Sequence, residues 1–182
     1  AEPSLVWLAS DLSEAQIRSL QKKQADSNAD WKKEWLDPPP DKLREHRYQV
    51  LLSRTEDFYG TLQEPQKAAL RSYIAQSSFD PQRTYAERQR RQQDLVQVLR
   101  KIAAERGNTE QARTLLRGYL ARLNTSPDAA YQRYAATLVD EGCAGFALVH
   151  SAMTPAQRLQ AVASIGAYEQ DFITLAAQRV AP

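Results

Sequence analysis

A chain of 182 residues with 42% hydrophobic and 25% charged side chains is long enough to bury a core without disulfide or metal staples. Its 24 basic and 22 acidic residues leave a net charge of +2, too small to point to nucleic acid or an anionic membrane as partner. One cysteine, Cys143, excludes an intrachain disulfide and a thiolate zinc cluster, and few glycines beside abundant Ala, Leu, Gln and Arg favour helix.

No apolar run approaches the roughly 18 to 20 residues that cross a bilayer. The start Ala1-Glu2-Pro3 lacks a signal-peptide pattern and reads as a mature or trimmed product. Residues 4 to 9 carry Leu5, Val6, Trp7 and Leu8, the end of a helix or a packed lead-in to the first cap. A long helix then opens at Ser13, where Ser13 and Gln16 can form a reciprocal capping box and Leu12 and Ile17 a hydrophobic staple. It places Ile17, Leu20, Gln24, Trp31, Trp35 and Leu36 on or near one side and Lys22, Lys23, Lys32 and Lys33 outward. Asp37-Pro38-Pro39-Pro40 ends it, because successive prolines remove donors and restrict the residue before them.

The second helix, 41 to about 59, spaces Leu43, Val50, Leu51 and Phe58 helically and stops at Gly60. The short connection to a third helix, 64 to about 76, predicts an antiparallel hairpin with Ala69, Leu70, Tyr73 and Ile74 inward. Ser77-Ser78-Phe79-Asp80-Pro81 breaks the pattern. The fourth helix, 81 to about 106, buries Tyr85, Leu95, Val96, Leu99 and Ile102 and displays Arg83, Arg88, Arg90, Arg91, Arg100 and Lys101.

Gly107-Asn108 gives way to a fifth helix from 109 carrying Leu115, Leu116, Tyr119, Leu120 and Leu123. The sixth, 127 to about 152, carries Tyr131, Tyr134, Leu138, Phe146 and Val149, with Gly142 and Gly145 inside it. Each internal glycine costs roughly 1 kcal/mol relative to Ala, so close helix packing or a kink is the expected reason. The seventh, 155 to about 180, turns Leu159, Val162, Ile165, Phe172, Ile173 and Ala176 inward. No segment sustains a period of two. The fold class is all-α: an antiparallel bundle of about six or seven helices without sheet, in one domain over residues 1–182.

The opening motif Leu12-Ser13-Glu14-Ala15-Gln16 returns as Leu62-Gln63-Glu64-Pro65-Gln66 and as Met153-Thr154-Pro155-Ala156-Gln157. The spacing is irregular, so the motif marks helix starts and not repeat modules. Thr154 caps its helix with Gln157 as partner and Pro155 at the first helical position. Gln63 is a poor cap residue, and Thr61 is expected to serve instead.

Enzyme signatures such as a phosphate loop, His-Glu-x-x-His or Gly-x-Ser-x-Gly do not occur. His46 and His150 have no neighbouring ligand pair, and one is expected exposed and the other a satisfied packing residue. No metal, cofactor or catalytic residue is therefore assigned. Cys143, between Gly142 and Ala144 and without a nearby base, reads as a small buried hydrophobe. Glu56-Asp57 and Asp140-Glu141 are adjacent in sequence, which on a helix separates their directions by about 100°. Arg83, Arg88, Arg90 and Arg91 form the one charge cluster, diluted by Glu87 and Asp94: a solvated face or a contact for phosphate, lipid A or an acidic partner. Trp31 and Trp35, one turn apart before the prolines, are core at the helix end or an aromatic anchor for a partner protein.

On Leu12-Ser13-Glu14-Ala15-Gln16-Ile17, Lys33-Glu34-Trp35-Leu36-Asp37, the second capping motif, Glu87-Arg88-Gln89-Arg90-Arg91-Gln92, Met153 to Arg158 and Tyr168-Glu169-Gln170-Asp171-Phe172, the chain resembles a family of uncharacterised Gram-negative envelope lipoproteins. That resemblance implies a periplasmic, lipid-anchored protein of which this chain is the C-terminal part, its anchor upstream and not at Cys143. The Leu-Ser/Thr-x-x-Gln pattern is also similar to small periplasmic stress proteins that act as chaperones without ATP.

Together these readings predict a non-catalytic periplasmic protein-binding domain, scaffold or chaperone-like, with protein partners and no nucleic acid. Two alternatives stand beside it. One is a hydrolase of envelope material using Glu56, Asp57 or Glu141; the other is a binder of anionic envelope surfaces through the arginines.

Overall fold

The computed structural model describes residues 2–105 and 107–178. Eight helices follow one another among the described residues: α1 (Glu2–Asp11), α2 (Glu14–Trp35), α3 (Pro40–Tyr59), α4 (Glu64–Gln76), α5 (Pro81–Ala104), α6 (Thr109–Asn124), α7 (Ala129–Ser151) and α8 (Pro155–Gln178). There is no strand among the described residues, and the all-α reading holds. The apolar lead-in is a helix in its own right, which takes the count beyond seven. The expected ends of the fourth and seventh predicted helices, at Arg106 and Val180, lie outside the described residues.

Local side chains set most of the helix starts. At α2 the Gln16 N–H donates to Ser13 Oγ at 3.3 Å while the Ser13 N–H donates to Gln16 Oε1 at 2.8 Å, the reciprocal box. Asp80 Oδ1 accepts from the N–H groups of Gln82 and Arg83 at the head of α5, and Asn108 Oδ1 accepts from Gln111 at the head of α6. α7 begins two residues later than the sequence suggests. Asp128, not the Asn124 to Pro127 turn, accepts from the Ala130 and Tyr131 N–H groups at 2.7 and 3.2 Å.

The chain gathers into two compact units, where the sequence reads as one domain. Unit 1 holds the residues up to Pro38 and Phe79–Ala136, and unit 2 holds Pro39–Ser78 and the residues from Thr137 onward. The first two crossings fall at the proline run and at the Ser78 break, both visible as punctuation in the sequence. The third falls inside the continuous helix α7, where no residue type announces it.

Unit 1 packs α1, α2, α5 and α6 around Val6, Ile17, Val96, Leu99, Ile102 and Ala112. The core of unit 2 joins Tyr48, Tyr59, Leu62, Leu70 and Ile74 of α3, α4 and their connection to Val149, Met153 and Ala161.

Candidate functional site

In unit 2 the second and third copies of the capping motif lock onto each other. Gln66 Oε1 accepts the Gln63 N–H at 2.7 Å, and its Nε2 crosses to the Ala152 carbonyl at 2.8 Å and to Gln157 Oε1 at 3.2 Å. Gln157 does the same in return: its Oε1 accepts the Thr154 N–H at 3.0 Å, and its Nε2 donates to the Thr61 carbonyl at 3.1 Å. Gln63, not Thr61, is the N-cap residue of α4, because Gln66 satisfies the cap backbone from the other side of the box. Two glutamines that each close a local box thus pin the starts of α4 and α8 together.

From that junction the helices diverge around an apolar groove of about 470 Å³. α3 contributes Leu51, Phe58 and Tyr59, α4 contributes Leu70 and Tyr73, α7 contributes Phe146 and Val149, and α8 contributes Ala161 and Ile165. That volume lies in the range of sites that hold a small ligand or the side chains of a docked segment. Its polar groups are few. The Tyr59 hydroxyl lies 2.8 Å from His150 Nδ1, burial pushes the Tyr59 phenol up from its ordinary pKa against the opposing charge of Arg158, and the His150 ring stacks on Phe146. Neither histidine is exposed: His46 and His150 are both half-buried, the expectation of one exposed ring being corrected by the packing of α3 and α7.

The two glycines of α7 have their reason in this groove. A Cβ on Gly145 would stand 2.7 Å from Tyr73 Cγ and 2.9 Å from Cε2, so the α4 ring lies directly on the α7 backbone. Gly142 faces the hydroxyl end of the same ring. Gly→Ala in an open helix stabilises by about 0.5–1 kcal/mol, so the packing reverses the sign. Gly145→Ala is expected to destabilise unit 2 by about 1–3 kcal/mol, the range for overpacking, and urea unfolding followed by circular dichroism measures it.

The outer faces of α7 and α8 depart most from the sequence reading. Leu159, Val162, Ile165, Phe172 and Ile173, all expected inward, are exposed, Phe172 by 70%. Phe146 of α7 is 62% exposed, and Cys143 is exposed instead of buried. Of α8 only Ala161 is buried, against the core, while Ser164 donates to the Phe58 carbonyl at 3.1 Å and Tyr168 lies against the Phe58 ring. Amphipathic spacing was read correctly as an apolar face; among the described residues the helices of unit 2 leave most of that face uncovered.

The other residues singled out in the sequence are placed differently. Trp31 and Trp35 are half-buried in unit 1, where Trp31 stacks on Trp35 and on Tyr85 with centroids 6.0 and 5.4 Å apart and Trp35 meets Phe79 edge-on. All four arginines have partners on their own unit. Arg90 and Arg91 both bond Glu87 at 2.8 Å, Arg88 bonds Asn28 and Ser27, and Arg83 lies 3.3 Å from Asp80.

Glu87, which in sequence only dilutes the cluster, is its buried centre. Burial raises its pKa, but hydrogen bonds from Arg90, Arg91 and Ser126 outweigh that and hold the carboxyl at about 2. Of the carboxylates, Glu56 accepts the Leu62 N–H at 2.9 Å and Glu141 accepts the Ser78 N–H at 2.8 Å, Asp57 is exposed, and none of the three lines the groove. The Ser78 side chain and then its N–H hold Glu141 below the ordinary carboxylate pKa.

The groove itself was not found from sequence, although Gly142, Gly145 and the low charge of residues 155 to 178 were its available signals. Among the described residues no helix is long and apolar enough to cross a membrane. A family model described as a family of unknown function (DUF6279) matches residues 1–121, which include α3 and α4 but not α7 and α8. No curated protein and no solved structure matches the chain.

Proposed function

The chain belongs to that family of unknown function, and we propose that it is a non-catalytic protein-binding domain of the cell envelope whose unit 2 receives an apolar helical segment of a protein in the groove beside α7 and α8. The observation that carries this is the exposure of large apolar side chains on both walls of one groove, Phe146 from α7 and Ile165 from α8. A contiguous apolar surface of this kind on a folded domain marks an interaction site. A helix is the segment that fits, since Val139, Gly142, Phe146 and Val149 follow the three- and four-residue steps into which an amphipathic helix inserts its own side chains.

The envelope location rests on the resemblance to periplasmic lipoproteins, as does the chaperone-like variant of this reading. Against the anion-binding reading stands the engagement of every cluster arginine inside unit 1; against the hydrolase, the distribution of Glu56, Asp57 and Glu141 away from the groove.

Crosslinking the folded chain in a Gram-negative envelope extract tests the proposal. A discrete partner is expected, lost with Phe146→Arg or Ile165→Arg and retained with Trp31→Ala/Trp35→Ala. Both groove positions are solvent-exposed, so the substitutions are tolerated by the fold. Loss in the tryptophan variant alone would move the binding face to unit 1. Suppression of aggregation of a denatured client at equimolar ratio separates a broad holding role from a specific one.

A further inference from the structure

The apolar face of α8 carries its own pattern of charge. Between Pro155 and Gln178 the charged residues are Arg158, Glu169 and Asp171, and among the described residues none of them forms an ion pair. The Arg158 guanidinium instead lies 3.4 and 3.3 Å from the carbonyls of His150 and Ser151, which tethers it over the end of α7 where the helix dipole favours a cation.

Arg158, Val162, Ile165 and Glu169 succeed one another at steps of four, three and four, so they share one face of the helix. Val162 and Ile165 on that face are 68% and 59% exposed. The cation stands at one end, the anion at the other, and two large aliphatic side chains lie between them.

This arrangement is self-complementary. Arg158 and Glu169 are equidistant from a point midway between Ala163 and Ser164, and so are Val162 and Ile165. A two-fold axis level with that point, perpendicular to α8 and lying between the two helices, sets both pairs in register at once. Arg158 meets Glu169 of the partner subunit, Val162 meets Ile165 of the partner subunit, and each of these pairs occurs twice, as an isologous contact requires. A foreign helix has no reason to match this spacing; an antiparallel second copy matches it by symmetry.

Resting on the protein-binding reading of the groove, we infer that its occupant is α8 of a second copy of this chain: each α8 stays on its own unit and lies antiparallel against the other across a two-fold axis, so that two copies complete each other's apolar groove. The same register sets Phe172, 70% exposed, level with the first residue of the partner's α8. The ion pairs set the antiparallel direction, and the aliphatic pairs supply the burial.

Sedimentation equilibrium of the full chain, with circular dichroism of every variant to confirm folding, decides the matter. The unaltered chain is expected to be a dimer at about 10 μM, a concentration that a weak adventitious contact does not populate. Arg158→Glu and Glu169→Arg each place like charges opposite one another twice and are expected to weaken the dimer roughly tenfold or more, while the double variant restores it. A monomer at that concentration, or a dimer indifferent to both single variants, overturns the inference. If the chain is monomeric but still captures an envelope protein in a Phe146→Arg-sensitive manner, the second copy is excluded and the protein-binding reading survives. A charge-swap dimer that captures nothing else makes self-association the whole use of the groove.

Discussion

Replacing Glu87 by Gln is expected to lower the stability of unit 1 by about 3 kcal/mol at neutral pH, the low end of the range for removing one partner of a buried ion pair. The carboxylate is 4% exposed and accepts from Arg90 through both oxygens, from Arg91 Nε and from Ser126 Oγ. Arg90 also donates to the Arg122 carbonyl, and Arg122 pairs with Asp94 at 2.8 Å, so the carboxylate ties α5 to the end of α6 and to the loop after it. An amide in its place keeps one acceptor oxygen but takes the close negative charge from both guanidiniums in a partly buried setting, leaving Arg90 with Asp94 at 3.7 Å.

The same group makes stability depend on acid in a defined direction. Its folded pKa of about 2 lies below its ordinary value of 4.5, so the folded state holds fewer protons than the unfolded state between those limits. Its contribution is complete above the ordinary value and is lost as pH falls through 4.5 towards 2. The size of the shift corresponds to about 3 kcal/mol. All three tryptophans, Trp7, Trp31 and Trp35, belong to unit 1, so urea unfolding followed by tryptophan fluorescence reads this unit. The gap between the unaltered chain and Glu87→Gln is expected to be full at pH 7 and mostly closed near pH 2.5; a gap that does not narrow would remove Glu87 as the acid-sensitive group.

Gln66→Ala is the second large effect, expected at about 2–4 kcal/mol in unit 2, a truncated buried side chain together with buried polar groups left without partners. Gln66 is 2% exposed, and its amide serves the Gln63 N–H, the Ala152 carbonyl and Gln157 at once. Gln16 occupies the same place in the first copy of the motif, but it is exposed and serves only its own box. Gln16→Ala is accordingly expected to cost about 1 kcal/mol or less, a capping loss alone. Far-UV circular dichroism of both variants in urea compares them directly. Equal losses would mean that the contact between the two motifs contributes nothing beyond local capping.

Much of the secondary structure was legible because its causes are local. Ser13 and Gln16 meet across three residues, the prolines at 38 to 40 stop a helix by their own geometry, and Gly60 ends α3 at a positive φ of 71° that a glycine adopts without strain. Gly142 and Gly145 inside α7 signal close packing or a kink, and the ring of Tyr73 on the α7 backbone makes it close packing. Glu87 was read wrongly for the opposite reason: in sequence it is one acid among arginines, and its burial depends on Ser126, which the chain brings to it from 39 residues away.

By itself, then, the sequence determined that the chain is helical, where most helices begin and end, and that α8 has an apolar face, since caps, breakers and periodicity act within one or two turns. The packing of the folded chain settles which apolar faces are covered, which polar side chains are buried, and that residues 79 to 136 gather with those before the proline run while residues 39 to 78 gather with those from 137 onward. Burial is a property of what stands opposite a side chain. For α8 the helices of its own unit leave most of that position empty, so the same spacing that predicts a core describes a surface.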